Sequence, residues 1–423
     1  MITRKDIHKD FTDKIKVIDG GICAVSKVKV AGVRDGKYGV SIIVCKNSDV
    51  AGVFTSNKVI AAPVEYTKNT IEDGKLSAII ANSGNANCFT GDQGVFDCEA
   101  TVEIISKIFE IPKTEIATAS TGVIGRKMPM DIITRLINQA SEVLENSNNA
   151  SINAAKAIMT TDTVYKHASI EVTLGNNQKV KIGGICKGTG MIAPNMGTML
   201  CFIATDAIAD QKILKESLKK AVDDSFNMVI VDGDESTNDT VLFFANGESK
   251  NSILVNNKIN GSDIDRNFQE GLNVLCKDLA KQMAQDGEGA TKFIEVEVRG
   301  AKSKSDAQIA SKSVVKSPLV KSAVFGGDPN WGRIVAAVGY SGAYMDPDDI
   351  TIAISSNDNL VDLVLDGEIL AFEGTANLEN AELIMKEKSI KIIIDLKNGK
   401  YNAIAYGCDL TYDYVKINAE YTT

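Results

Sequence analysis

Apolar and polar positions along this chain fall into blocks whose period changes repeatedly, and the changes predict a mixed succession of strands and helices. Short apolar runs at 38–45, 50–55, 76–81 and 116–120 predict strands, some buried on both faces. Between them, apolar residues at helical spacing over 98–109 and 131–144 predict two helices, the second opened by Pro129, and 153–159 adds a third. The stretches 168–174 and 180–186 alternate as the arms of a hairpin about Gly175-Asn176-Asn177. A strand at 198–204 follows, then a helix at 212–226, strands at 228–231 and 241–244, and an amphipathic helix over 264–285. From Lys292 onward the pattern predicts strands at 293–298, 334–338, 350–354 and 390–396, with helices at 306–314 and 377–386. This reading divides the chain into residues 1–290 and a second α/β lobe, 291–423, with the boundary near 287–291.

Composition narrows what such a chain does. With 423 residues, 44% apolar and 24% charged, it is a globular protein of enzyme size. A net charge of −9 and the lack of a basic stripe argue against nucleic acid, whose phosphates need clustered Lys and Arg, and point to small-molecule partners. Eight cysteines without a Cys-x-x-Cys pair suit reduced, buried thiols. The polar N-terminus and the lack of a membrane-length apolar stretch predict a soluble cytoplasmic protein with no membrane partner. Neither of the two histidines, His8 and His167, has the setting of a catalytic residue, which disfavours a Ser-His-Asp site or a histidine zinc site. No dinucleotide or P-loop pattern occurs, and the acidic run 232–239 lacks the EF-hand's spacing, so no cofactor and no metal are expected.

The chemistry-bearing segment is Lys187-Gly188-Thr189-Gly190-Met191-Ile192-Ala193-Pro194-Asn195-Met196-Gly197-Thr198-Met199-Leu200. Thr198 follows a glycine whose carbonyl has no side chain to shield it. Attack by the Thr198 hydroxyl on Gly197 exchanges the peptide bond for an ester, and its hydrolysis leaves a new N-terminal threonine. Such a residue joins nucleophile and base, because a free α-amine with a pKa near ~8 takes the hydroxyl proton. Ser120-Thr121-Gly122-Val123-Ile124-Gly125 follows a predicted strand and reads either as oxyanion-hole parts, a hydroxyl beside a bare N–H, or as a capped glycine turn. Asn82-Ser83-Gly84-Asn85-Ala86-Asn87 reads as a turn able to line a polar pocket. Met159-Thr160-Thr161-Asp162-Thr163 and Asp286-Gly287-Glu288-Gly289-Ala290-Thr291-Lys292 offer groups for a substrate amine or carboxylate, or else a helix cap and a turn. Asp328-Pro329-Asn330-Trp331-Gly332-Arg333 reads as a structural corner.

These motifs, with Ala51-Gly52-Val53-Phe54-Thr55-Ser56-Asn57-Lys58 and the tail Asn418-Ala419-Glu420-Tyr421-Thr422-Thr423, occur in an order that resembles the glutamate N-acetyltransferase family of arginine biosynthesis, also called ornithine acetyltransferase, over nearly the whole chain. The resemblance implies an α/β fold like that of N-terminal-nucleophile enzymes, an αββα sandwich with a second, smaller α/β lobe whose tail returns to the site. It implies a precursor cut between Gly197 and Thr198 into α and β chains that assemble as an α2β2 heterotetramer. It further implies ping-pong transfer of acetyl from N2-acetylornithine to Thr198 and then to glutamate, with Thr121 and Gly122 as the oxyanion hole. Thr161, Lys187, Thr198, Glu288, Asn418 and Thr423 are the implied substrate ligands, with Thr160 or Thr163 as alternatives to Thr161. Lys187 and Glu288 complement the carboxylate and ammonium of ornithine. Some family members also accept acetyl-CoA as co-substrate, and no residue here decides that point. The sequence departs from the family at Gly197, where alanine is more common, at Gly327, where arginine is common, and in lacking Pro-Lys-Gly-Phe near the N-terminus. Two other readings remain open at this stage: an aminopeptidase or amidase that uses water as acceptor, and an unprocessed binding protein.

Overall fold

Residues 38–54 form one strand of 17 residues in which seven consecutive buried positions are followed by exposed Lys46 and Asn47. Asn47 has a left-handed backbone, φ +60°, and the strand bends there. The computed structural model describes residues 11–193, 199–251 and 264–420. The first strands are β1 (Ile15–Val17), β2 (Lys29–Asp35), β3 (Tyr38–Phe54), β4 (Lys75–Asn85), β5 (Ile116–Val123), β6 (Lys166–Thr173), β7 (Lys179–Lys187) and β8 (Leu200–Thr205). They are followed by β9 (Val229–Ile230), β10 (Thr240–Ala245), β11 (Phe293–Ala301), β12 (Thr351–Ser356), β13 (Asn359–Leu365), β14 (Glu368–Ile369), β15 (Ser389–Asp395) and β16 (Tyr401–Cys408). The helices are α1 (Ala62–Thr70), α2 (Asp92–Phe109), α3 (Met130–Glu142), α4 (Asn148–Ala157), α5 (Gln211–Asp223) and α6 (Arg266–Gln285). The remaining helices are α7 (Lys304–Lys316), α8 (Pro318–Gly326), α9 (Trp331–Gly339), α10 (Ala376–Ile384) and α11 (Tyr412–Glu420).

Strands run in the order β1-β6-β7-β8-β10-β3-β4-β5 among the described residues, with β2 also paired to β3. The N-terminal part of β3 pairs with β2 and β4, while its C-terminal part pairs with β10. The sheet therefore folds over at the bend, where the β3–β4 register is broken between Val44 and Ser48. Ile43, Ile79 and Ala117 from one half then meet Ile185, Phe202 and Leu242 from the other in a shared core, with α4 alanines alongside. On one outer face α2 and α3 cover Val40, Ile42 and Ile80. On the other, α5 and α6 cover Ile182, Ile203 and Phe243. Successive residues of β8 and β10 thus face two different cores, so both strands are buried throughout and apolar at all but Thr205 and Thr240. Each fully buried phenylalanine in them contributes roughly 1.5–3 kcal/mol. This is the α/β architecture of a four-layer αββα sandwich.

A second sheet, in the order β14-β13-β12-β15-β11-β16-β9, packs Phe293, Tyr406 and Cys408 against α6. Its other face is covered by α7 to α10. Strand β9, contributed by residues before 290, joins this sheet through β16. Helix α6 is capped by Asp265, whose carboxylate accepts the N–H groups of Asn267 and Phe268, and it buries Phe268, Leu272, Leu275 and Leu279 at helical spacing.

One predicted element is corrected: residues 334–338 belong to helix α9, not to a strand. The Asn330 side chain accepts the Arg333 N–H as an N-cap, and Ile334, Ala337 and Val338 bury one helical stripe. Strands β1, β2, β13, β14 and β16 and helices α1, α8 and α11 were not predicted from the pattern. Among the described residues, no helix is long and apolar enough to cross a membrane.

Candidate active site

Strand β5 delivers Thr121 and Gly122, which lie opposite Ser83 and Gly84 of parallel β4. Gly122 has φ +134°, and a Cβ there would sit 2.5 Å from the Asn85 nitrogen, so both the backbone and the space demand glycine. Lys187, the last residue of β7, is buried and its Nζ donates to Thr121 Oγ1 at 3.1 Å. Burial pulls the Lys187 pKa down. Asp162 opposes that pull, Lys166 adds to it, and the net shift is downward.

Facing this cation is a carboxylate held from several directions. Glu288, just beyond the exit of α6, donates its N–H to the Thr189 carbonyl at 3.0 Å. Its Oε1 accepts the Thr161 hydroxyl at 2.6 Å, and its Oε2 accepts Asn418 Nδ2 from α11 at 2.9 Å. The Thr161 hydroxyl also lies 2.8 Å from that of Thr189. Thr121, Gly122, Thr161, Lys187, Glu288 and Asn418 line one cavity of about 210 Å³. A small zwitterion with a further amine fits such a lining: a cation for a carboxylate, a carboxylate for an ammonium, and a hydroxyl beside a glycine for an oxyanion.

The chain on either side of residues 194–198 is anchored by one connection, that between β9 and β10. Asp232 accepts the N–H groups of Met191 and Ile192 at 2.5 and 2.8 Å, and the Ile192 carbonyl accepts the Val231 N–H at 2.9 Å. Asp239 Oδ1 accepts the Met199 N–H at 2.8 Å, while its Oδ2 has no hydrogen-bond partner among the described residues. Burial raises both carboxyls, that of Asp239 well above the usual range. Gly197, Thr198 and Thr423, read from the sequence as cleavage, nucleophilic and substrate residues, lie outside the described residues, as does His8.

The three candidate threonines separate in the fold. Thr160 and Thr161 line the cavity, whereas the Thr163 hydroxyl is committed to Asp286. Residues 82–85, read from the sequence as part of a turn, instead end strand β4, and the asparagines of 82–87 bind protein rather than facing the cavity. Asn82 Nδ2 donates to the Asn85 carbonyl, Asn85 Nδ2 donates to the carbonyls of Arg126 and Lys127, and Asn87 Nδ2 donates to that of Gly94. Trp331 Nε1 donates to the Ala371 carbonyl at 3.0 Å, in keeping with a structural corner. His167 is partly buried and does not line the cavity. Sequence reasoning missed Asp232, Tyr414 and Asn238 as lining residues. The acidity of the 232–239 run marked the segment but raised only a metal, whereas Asp232 and Asp239 use it to hold backbone. Burial, followed by Asp232, pushes the Tyr414 phenol up.

Residues 25–423 match the model of the ArgJ family. The chain is 52% identical over 413 residues to the glutamate N-acetyltransferase of Methanothermobacter thermautotrophicus, covering 98% of this chain and 100% of that one. It is 51% identical over 413 residues to the glutamate N-acetyltransferase of Methanocaldococcus jannaschii, covering 97% and 100%. Among solved structures it is similar to the arginine biosynthesis bifunctional protein argJ of Bacillus halodurans, with 41% identity, TM-score 0.46 and coverage of 51% of this chain and 96% of that one.

Proposed function

The chain belongs to the ArgJ family, and from that premise we propose that its acetyl transfer runs through Thr198, freed as an N-terminal nucleophile by cleavage after Gly197. The protein is a glutamate N-acetyltransferase with the ornithine acetyltransferase role in arginine biosynthesis. In the proposed scheme the Thr198 hydroxyl attacks the acetyl carbonyl of N2-acetylornithine, and its proton passes to the Thr198 α-amine. Thr121 Oγ1 and the Gly122 N–H donate to the oxyanion. The carbonyl–nitrogen bond then breaks, the proton goes to the departing amine, and ornithine leaves an acetyl ester on Thr198. The amine of glutamate attacks that ester and gives a proton to the α-amine; the bond between the acetyl carbon and the Thr198 oxygen then breaks, the proton returns to that oxygen, and N-acetylglutamate departs. Lys187 takes the substrate carboxylate, Glu288 takes the side-chain ammonium, and Thr161, Asn418 and Thr423 complete the binding set.

One observation carries this reading: Lys187 on Thr121, at 3.1 Å, lines the same small cavity as a carboxylate held by Thr161 and Asn418. The anchoring of Met199 by Asp239 supports Thr198 as the residue presented to that cavity. Assembly as α2β2 in the cytoplasm belongs to the same proposal.

The test is intact mass under denaturing conditions, with N-terminal sequencing, for the wild type and Thr198→Ala, followed by assay of acetylornithine with glutamate. Two chains, one beginning at Thr198, and an uncut inactive variant are expected. Active protein with an intact bond between residues 197 and 198 refutes the nucleophile. The same assay with acetyl-CoA in place of acetylornithine decides the second donor.

A further inference from the structure

Behind the cavity lies an ion cluster that the scheme above does not use. Lys166, the first residue of β6, is fully buried, and its Nζ reaches Asp162 Oδ1 at 2.7 Å, Asp286 Oδ2 at 2.6 Å and the Val164 carbonyl at 3.2 Å. Both carboxylates are buried with it. Burial pulls the Lys166 pKa down, but the two carboxylates outweigh it and the net shift is upward, so the lysine is held as a cation.

What the cluster touches is more informative than its charge. Asp162 Oδ1 also accepts the Gly188 N–H at 2.9 Å, next to Lys187, and Asp162 Oδ2 accepts the Thr160 N–H at 3.1 Å, next to Thr161. Asp286 Oδ2 accepts the Thr163 N–H at 3.1 Å, and Asp286 stands two residues before Glu288. Three chain segments separated by up to 120 residues are thereby tied to one ammonium. Each carries a substrate-facing side chain one or two residues away. Stability alone does not account for ions here, since a buried ion pair commonly does no better than an apolar group of the same volume. Short, directional contacts do account for them, because they fix distances between segments that apolar packing leaves looser.

We propose that Lys166, with Asp162 and Asp286, is a positioning centre for substrate recognition that sets the spacing of Thr161, Lys187 and Glu288 around the cavity. The proposal rests on the reading of the site given above. Its ligand is a basic amino acid whose carboxylate and side-chain ammonium must meet Lys187 and Glu288 together. If their spacing changes, only one end is satisfied at a time.

The test uses full-length Asp286→Asn and a neutral triple variant, Lys166→Met with Asp162→Asn and Asp286→Asn, which removes all three charges at nearly constant volume. Calorimetry gives Kd for ornithine, steady-state assay gives KM and kcat for acetylornithine, and thermal unfolding gives Tm. In the triple variant, Kd and KM are expected to rise at least tenfold, with kcat within about threefold and Tm within a few degrees of wild type. A purely structural role would lower Tm and leave Kd unchanged in the folded fraction. Unchanged Kd and KM in either folded variant overturns the proposal, as does the loss of folded protein in both. Wild-type protein that fails to bind ornithine overturns the reading of the site and the proposal with it, whereas wild type and variants binding equally well overturn the proposal alone.

Discussion

Gly190 faces the Glu288 carboxylate so closely that adding one methyl group tests the position of that carboxylate. A Cβ on Gly190 would sit 2.5 Å from both Oε1 and Oε2 of Glu288, and restoring an ordinary 3.4 Å contact moves the carboxylate by about 0.9 Å. Gly190 is not in the left-handed region, so alanine brings no backbone strain there, and by restricting the unfolded chain it favours folding by ~0.4–1 kcal/mol. The fold should therefore survive Gly190→Ala. The displaced carboxylate, however, would lose its 2.6 Å bond from Thr161 and its 2.9 Å bond from Asn418 in their present form. A misplacement of about 1 Å costs up to roughly 10²-fold in rate, or about 2.7 kcal/mol. Steady-state release of ornithine from acetylornithine should show kcat/KM falling by that order, mostly through KM, while Tm stays at or slightly above the wild-type value. A kcat/KM within threefold of wild type, with Tm unchanged, refutes the assignment of Glu288 to the substrate.

Thr121→Ala removes a hydroxyl aimed at the proposed oxyanion and leaves Lys187 without its 3.1 Å acceptor; kcat should fall by about 10²- to 10³-fold, and unchanged turnover would remove Thr121 from the oxyanion hole. Asp162 predicts an acid dependence: burial raises its pKa, but Lys166, Lys187 and the Gly188 N–H outweigh that and hold it below 3.8. A carboxyl whose folded pKa is depressed contributes stability that is complete above the unfolded value and is lost as pH falls through the folded value. The Tm of wild type should therefore drop more steeply below about pH 3.8 than that of Asp162→Asn, and parallel curves would refute this sign.

How far the fold was legible depended on whether periodicity and partner coincided. Strands β8 and β10 and helix α6 were legible because burial on both faces or along one stripe leaves an unmistakable pattern. The run 334–338 has five apolar residues and no period of its own, and only the cap at Asn330 and the packing of α7 and α8 decide for a helix. Helix α11 buries no residue and so carries no stripe, yet it supplies Tyr414 and Asn418 to the cavity. The stretches 38–45 and 50–55 read as two strands because exposed Lys46 and Asn47 interrupt them, whereas hydrogen bonding keeps them one. In the site, Thr121, Gly122, Thr161, Lys187 and Glu288 were legible as motifs, each offering a chemical group beside a glycine or a turn. The partners of Lys166 were not, because Asp286 lies 120 residues away and nothing local marks the pairing.

The order β7-β8-β10-β3 has a consequence for the life of the molecule after a break between residues 197 and 198. Strands β8 and β10 come after the break and their outer neighbours, β7 and β3, come before it, so the later piece is woven between two strands of the earlier one. Severing the backbone would change which atoms are covalently joined without creating two bodies. Neither piece holds the first sheet complete, and each would expose raw strand edges of that sheet if drawn out. On the proposed cleavage, maturation would be a one-way event in topology as well as in chemistry: the halves would fold while still one chain and, once parted, would stay interlaced rather than exchange with those of another molecule.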